Sequence, residues 1–186
     1  MMSTRALVRI ALFAAIIAAL GLLPKIDLPF AGGVPVTAQT LGVMLAGVLL
    51  GPRQGAAAVL LLIVVVLLGA PLLAGGRGGM GVLFGPTIGF LVGWIPGVIV
   101  TGLTFRAMTR FPTGLAATVA SILGGIVVVY ACGIAGLALI TGIPLAKAAL
   151  ASLIFLPGDV LKVIATGAVA AAVPDPIRSR TSVSRA

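Results

Sequence analysis

The sequence predicts an all-α integral membrane protein in which six transmembrane helices form a single domain over residues 1–186, with both termini in the cytoplasm. Composition is the first ground for this. Of 186 residues, 61% are hydrophobic and 8% charged, against roughly 25% charged in soluble domains, so most of the chain must face something other than water. Run length is the second. Crossing ~30 Å of hydrocarbon at ~1.5 Å per residue takes about 20 apolar residues, and runs of that order fill the chain and leave no room for a separate soluble domain. Charge asymmetry is the third. With six spans drawn, Arg5, Arg9, Arg53, Arg106, Arg110, Arg178, Arg180 and Arg185 fall on the side of the termini, and Lys25, Arg77 and Lys147 on the other. Basic loops stay inside, which places both ends in the cytoplasm.

Span 1 covers residues 6–23 and stops at Pro24. Preceded by Arg5 and Arg9, it resembles a signal peptide, but further spans follow directly, so it is read as a retained first span. Ala11 and Ala15, with Ala14 and Ala18, give it a smooth face that another helix can approach closely. A loop with Lys25, Asp27 and Pro29 leads to span 2, residues 36–50, which opens with Thr37 and Gln39. Gly51-Pro52-Arg53-Gln54-Gly55 reads as a tight turn into span 3, residues 56–73. The glycine-rich stretch Ala74 to Gly81 follows. Span 4, residues 82–105, is expected to kink at Gly85-Pro86-Thr87 and at Pro96-Gly97. Pro112 precedes span 5, residues 114–140. Residues 143–156 read as a short helix on the outer surface carrying Lys147, and span 6, residues 157–173, starts near Pro157, because a proline's missing N–H costs nothing in a first turn.

That last helix carries the chemistry. Asp159 lies in its first turn, where the macrodipole favours a carboxylate, and Lys162 shares its face three residues on. Residues 157–173 hold no other ionisable group, and a charge inside a membrane costs about 3 kcal/mol by insertion scales unless paired or hydrated. Spans 2, 4 and 6 all start on the outer side, so Thr37, Gln39 and Thr87 reach the level of Asp159 and Lys162, and Tyr130 rises from the outer half of span 5. A few convergent polar groups in an apolar surround describe a small-molecule site. For each residue a plainer reading stays open: Thr37 and Thr87 bonding their own helices, Gln39 bridging helices, Tyr130 in an interfacial belt, Lys162 snorkelling outward, and Arg77 as a solvated loop charge.

Several functions are excluded. One cysteine, Cys132, and no histidine rule out an internal disulfide, a Cys/His zinc site and Ser/His or Cys/His catalysis within this chain, and neither a metal nor a cofactor is expected. The net charge of +9 is spread over loops and ends with no basic helix, which argues for inside-positive loops and against nucleic acid. Gly76-Arg77-Gly78-Gly79-Met80-Gly81 matches G-x-G-x-x-G but sits between two spans, not in a strand–turn–helix unit. The chain also lacks a P-loop, so it does not supply its own ATP-driven power by that route.

Three blocks together resemble the BioY family, the biotin-specific substrate-binding (S) components of energy-coupling-factor (ECF) transporters: Val34-Pro35-Val36-Thr37-Ala38-Gln39-Thr40-Leu41-Gly42, Ala74-Gly75-Gly76-Arg77-Gly78-Gly79 through Gly85-Pro86-Thr87, and Pro157-Gly158-Asp159-Val160-Leu161-Lys162. The resemblance implies an S-component-like fold, capture of biotin from the outer face of a bacterial cytoplasmic membrane, and assembly with a transmembrane coupling subunit and two ATPases. It also implies that Ala11 and Ala15 meet the coupling subunit. The residues fit this independently: a carboxylate and an ammonium answer the N–H groups and carbonyl of a ureido ring, and Lys25, Arg77 or Lys147 could hold the valerate carboxylate. Two alternatives stand beside it, an S component for another vitamin and an intramembrane enzyme using Asp159 as a base.

Overall fold

The computed structural model describes residues 3–23 and 37–173. Lys25, Asp27, Pro29, Pro35, Arg178, Arg180 and Arg185, to which the sequence reading gave places, lie outside the described residues. Helix α1, Thr4–Gly21, is capped by Ser3, whose hydroxyl accepts the Ala6 N–H at 3.3 Å. Helix α2, Gln39–Leu50, ends at Gly51, whose φ of 81° reverses the chain directly into α3, Pro52–Leu67. The expected tight turn is therefore shorter than Gly51 to Gly55: Pro52 already occupies the first helical position, where a proline fits. Span 3 also ends earlier than residue 73, stopping before Gly69, whose φ is 112°, and Pro71.

Span 4 departs from expectation at its start. Residues 80–84 form a separate 3-10 turn, Met80–Phe84, and helix α4 runs Ile88–Ala107. Proline disfavours helical geometry in the residue before it, so Gly85-Pro86 breaks the chain where a kink was expected. Pro96, by contrast, lies inside α4, which continues through it. The fifth span is one continuous helical run, Thr113–Thr141, composed of α5 (Thr113–Ser121), a π-helical segment (Ile122–Val128) and α6 (Val129–Thr141). Helix α7, Leu145–Ser152, packs on α6 and passes through a 3-10 turn, Leu153–Phe155, into α8, Leu156–Ala172. The expected short helix is present, but it joins α8 without a break.

Among the described residues, four helical runs are long and apolar enough to cross a membrane: Thr4–Gly21, Ile88–Ala107, Thr113–Thr141 and Leu145–Ala172. Gln39–Leu50 and Pro52–Leu67 are apolar but shorter. The outside is oily, with Leu68 and Leu139 each 83% exposed and Phe84 79%, an unfavourable surface in water and a suitable one in lipid.

Because lipid gives apolar side chains little reason to seek each other, close backbone approach has to hold such helices together. Helix α4 supplies it with Gly89, Gly93 and Gly97, four residues apart on one face. A Cβ on Gly89 would lie 2.5 Å from the Cys132 carbonyl oxygen and 2.8 Å from Gly136 Cα; one on Gly97 would lie 2.9 Å from the Gly124 carbonyl oxygen. This seam brings the N-terminal end of α4 beside α6, and with it Thr87 and Phe90 to the cavity that Tyr130 also lines. Ala14 and Ala18 of α1 face inward toward the core around Ile17 and Val43, whereas Ala11 and Ala15 are exposed. The two alanine pairs of span 1 therefore belong to different faces.

Candidate substrate-binding site

Helices α2, α4 and α8 all begin at the end of the bundle where α1 and α3 finish. Their first turns surround a cavity of about 630 Å³, a volume that includes its open mouth. Thr37, Gln39, Arg77, Thr87, Tyr130, Asp159 and Lys162 all line it. The structure thus brings together the seven residues singled out from the sequence.

Asp159 is the centre of the polar side. It is 4% exposed, so its charge needs partners. Lys162 Nζ donates to Asp159 Oδ1 at 2.7 Å, Thr40 Oγ1 donates to the same oxygen at 3.3 Å, and Tyr130 donates from its hydroxyl to Oδ2 at 2.7 Å. Lys162 also donates to Thr40 Oγ1 at 3.0 Å. Helical spacing puts Lys162 over Asp159, the packing of α2 on α8 delivers Thr40, and Tyr130 reaches in from the start of α6, just past the π-helical segment that packs on α8. Lys162 therefore points inward, and Tyr130 is a buried partner of a carboxylate, not a belt residue.

Gln39 has a different part. Its amide donates to Ile17 O at 3.3 Å and Leu72 O at 3.1 Å, and its carbonyl accepts the Ala74 N–H at 3.1 Å. Both donors are thereby engaged in tying α2 to α1 and to the loop after α3, with one acceptor position left. That loop closes on itself: Leu73 and Arg77 exchange backbone hydrogen bonds at 3.0 and 3.1 Å across Gly75 and Gly76, whose φ values of 79° and 70° suit glycine. The glycine motif is thus a hairpin that aims Arg77. Its guanidinium donates to Ala74 O at 3.2 Å and to Thr87 Oγ1 at 3.2 Å. Lys147 is exposed and is not part of the lining, and Lys25 lies outside the described residues.

The rest of the lining includes an apolar set: Leu73, Phe90, Leu91, Trp94, Val129 and Phe155. Phe90 stands edge-on to Tyr130 and to Phe155, with ring centroids 6.1 and 6.2 Å apart, a favourable aromatic arrangement. The sequence reading named none of these six as site residues and omitted Thr40. A signal existed. Thr87, Phe90, Leu91 and Trp94 recur at helical spacing along one face of α4, and Thr40 adjoins Gln39. The arrangement can bind a molecule with a polar, amide-like end, an apolar body and an anionic group near Arg77.

Comparison with known proteins agrees with this geometry. The sequence profile of the BioY family matches residues 1–179. The chain is 53% identical over 168 residues to a biotin transporter BioY of Rhizobium etli, covering 88% of this chain and 89% of that one. It is 48% identical over 170 residues to a biotin transporter BioY of Rhodobacter capsulatus, covering 87% and 88%. Its fold is similar to the 2.1 Å crystal structure of the S-component for biotin from an ECF-type ABC transporter, with a TM-score of 0.83 at 29% identity over 98% of this chain and 95% of the other. The chain belongs to the BioY family.

Proposed function

We propose that this protein takes up biotin, binding it in the cavity at the N-terminal ends of α2, α4 and α8 as the substrate-specific subunit of an ECF transporter in a bacterial cytoplasmic membrane. One observation carries the site assignment: the charged residues of α8 are turned into the cavity and held there by side chains from two other helices. The ureido end of biotin meets Asp159 and Lys162, with charge-assisted hydrogen bonds to its N–H and carbonyl groups. Its fused ring lies against Phe90, Trp94 and Phe155. The valerate carboxylate meets Arg77 beside Thr87, where the start of α4 adds a favourable dipole. Nothing here calls for bond-making chemistry, so the role is binding and not catalysis. Thr37 lines the mouth, and Gln39 keeps the Arg77 hairpin in place.

The assigned test is equilibrium binding of radiolabelled biotin to the purified protein in detergent. Asp159→Asn removes the charge with little change of shape and is expected to weaken binding about a hundredfold or more, since the ligand loses its anionic acceptor and the largely buried Lys162 ammonium its partner. Unchanged affinity would sink the ureido assignment. In the same assay biotin methyl ester should bind more weakly than biotin to wild type, and about as well as biotin to Arg77→Ala; an undiminished preference for the acid would remove Arg77 from the site. Coupling is assigned to the exposed Ala11 and Ala15 face, against a transmembrane coupling subunit that carries two ATPases. Ala11→Trp should leave biotin binding intact and abolish ATP-driven uptake in cells holding the partners. Full uptake by that variant would place the interface elsewhere.

A further inference from the structure

Counting hydrogen-bond positions around Asp159 limits what a ligand can add. A carboxylate offers about four lone-pair positions and a lysine ammonium three protons. Among the described residues, Oδ1 already accepts from Lys162 and from Thr40, and Oδ2 accepts from Tyr130. Lys162 spends one proton on Oδ1 and another on Thr40 Oγ1. The Thr40 hydroxyl is the residue that makes this count close. It fills the second position on Oδ1 with its only proton and takes up a lysine proton with its oxygen. What remains is one acceptor position, on Oδ2, and one donor, on Lys162, the two groups being joined through Oδ1.

We infer that Thr40 is a specificity-setting positioning residue that reduces what Asp159 and Lys162 offer a ligand to a single acceptor–donor pair, so that this pair takes one cis N–H/C=O edge of a cyclic urea or lactam and leaves the second urea N–H without a partner on Asp159. The inference rests on the assignment of the ureido end to Asp159 and Lys162. It carries a consequence that assignment alone does not: the two N–H groups of the ring are unequal. Exchanging one for CH2 removes no hydrogen bond to Asp159, whereas exchanging the other leaves a buried carboxylate position unpaired, a loss of about tenfold to hundredfold.

The experiment uses the full-length protein in detergent and two γ-lactam analogues of biotin, each with a different ureido NH replaced by CH2, in competition with radiolabelled biotin. Wild type should bind one lactam within about threefold of biotin and its isomer at least about tenfold more weakly. Thr40→Ser keeps the hydroxyl and should keep this ratio. Thr40→Val keeps the shape, vacates a position on Oδ1 and frees a lysine proton, and should bring the ratio between the lactams toward one while biotin still binds. A residue that merely supported the fold would shift all three ligands together. Equal loss of both lactams by wild type, or equal retention, overturns the inference while biotin binding leaves the ligand assignment standing. An unchanged ratio in folded Thr40→Val overturns the role of Thr40. If Thr40→Val does not fold, the wild-type lactam pair decides alone. Failure of folded wild type to bind biotin overturns the ligand assignment and this inference with it.

Discussion

At the scale of residues, Gln39 and Asp159 separate two uses of a buried polar group. Asp159 is surrounded by side chains that a ligand can compete with or extend, whereas Gln39 spends both donors and one acceptor on backbone groups of α1 and the 72–74 segment. Replacing it by a similar-sized apolar residue therefore acts on stability first. Gln39→Leu leaves the Ala74 N–H and two carbonyls without this partner, and the expected cost is about 2–4 kcal/mol, read as a lowered unfolding midpoint in detergent. Biotin affinity should fall as well, because the Arg77 hairpin loses its anchor to α2. A variant as stable as wild type would show that the clamp is dispensable. Asp159 and Lys162 were legible in the sequence because charge in an apolar helix is costly, and the same cost makes it conspicuous. Gln39 was legible both as a polar group of the site and as a bridge between helices, but not which groups it bridges, since its partners are backbone atoms that any residue supplies. Thr40 carries no such mark: a threonine near a helix start is ordinary until its neighbours are known.

At the scale of elements, the seam between α4 and α6 decides where the cavity walls stand. Gly89 sits against Cys132 O and Gly136 Cα with no space for a side chain, and the neighbouring Phe90 and Thr87 line the cavity. Gly89→Val forces the two backbones apart and is expected to destabilise the protein by about 1–3 kcal/mol, while also loosening biotin binding through the displaced Phe90. Gly81→Ala is the control. Nothing lies within 4 Å of a Cβ there, and its effect should stay within about 0.5 kcal/mol. Thermal unfolding of both variants in detergent checks the pair, and equal behaviour would refute the seam. The run of Gly89, Gly93 and Gly97 is readable from spacing alone, as the alanines of α1 are. Boundaries were harder. Gly85-Pro86 and Pro96 carry the same kink signal, yet the first ends a helix and the second lies within one, because the segment before Pro86 has the separate Met80–Phe84 turn while α4 around Pro96 is held on both sides by the glycine seam. The π-helical Ile122–Val128 left no signal beyond Gly124-Gly125.

At the scale of the whole molecule, the position of the cavity gives the charge asymmetry its meaning. The hairpin bearing Arg77 and the starts of α2, α4 and α8 share one end of the bundle, and the α2–α3 and α4–α5 turns with Arg53, Arg106 and Arg110 lie at the other. Insertion that keeps the arginine-rich end in the cytoplasm turns the cavity to the exterior, as the proposed capture of biotin from outside requires. The helices and their order were legible from apolar run length; the direction rests on the arginine count and has its own test. Cys132 is the sole cysteine, so Cys132→Ser gives a thiol-free background in which Lys147→Cys and Arg110→Cys, both at exposed positions, each report one end. A membrane-impermeant maleimide applied to intact spheroplasts should label Lys147→Cys at once and Arg110→Cys only after permeabilisation. The reverse pattern would put the cavity on the cytoplasmic side, and capture from the exterior would then have to be abandoned even if biotin bound tightly.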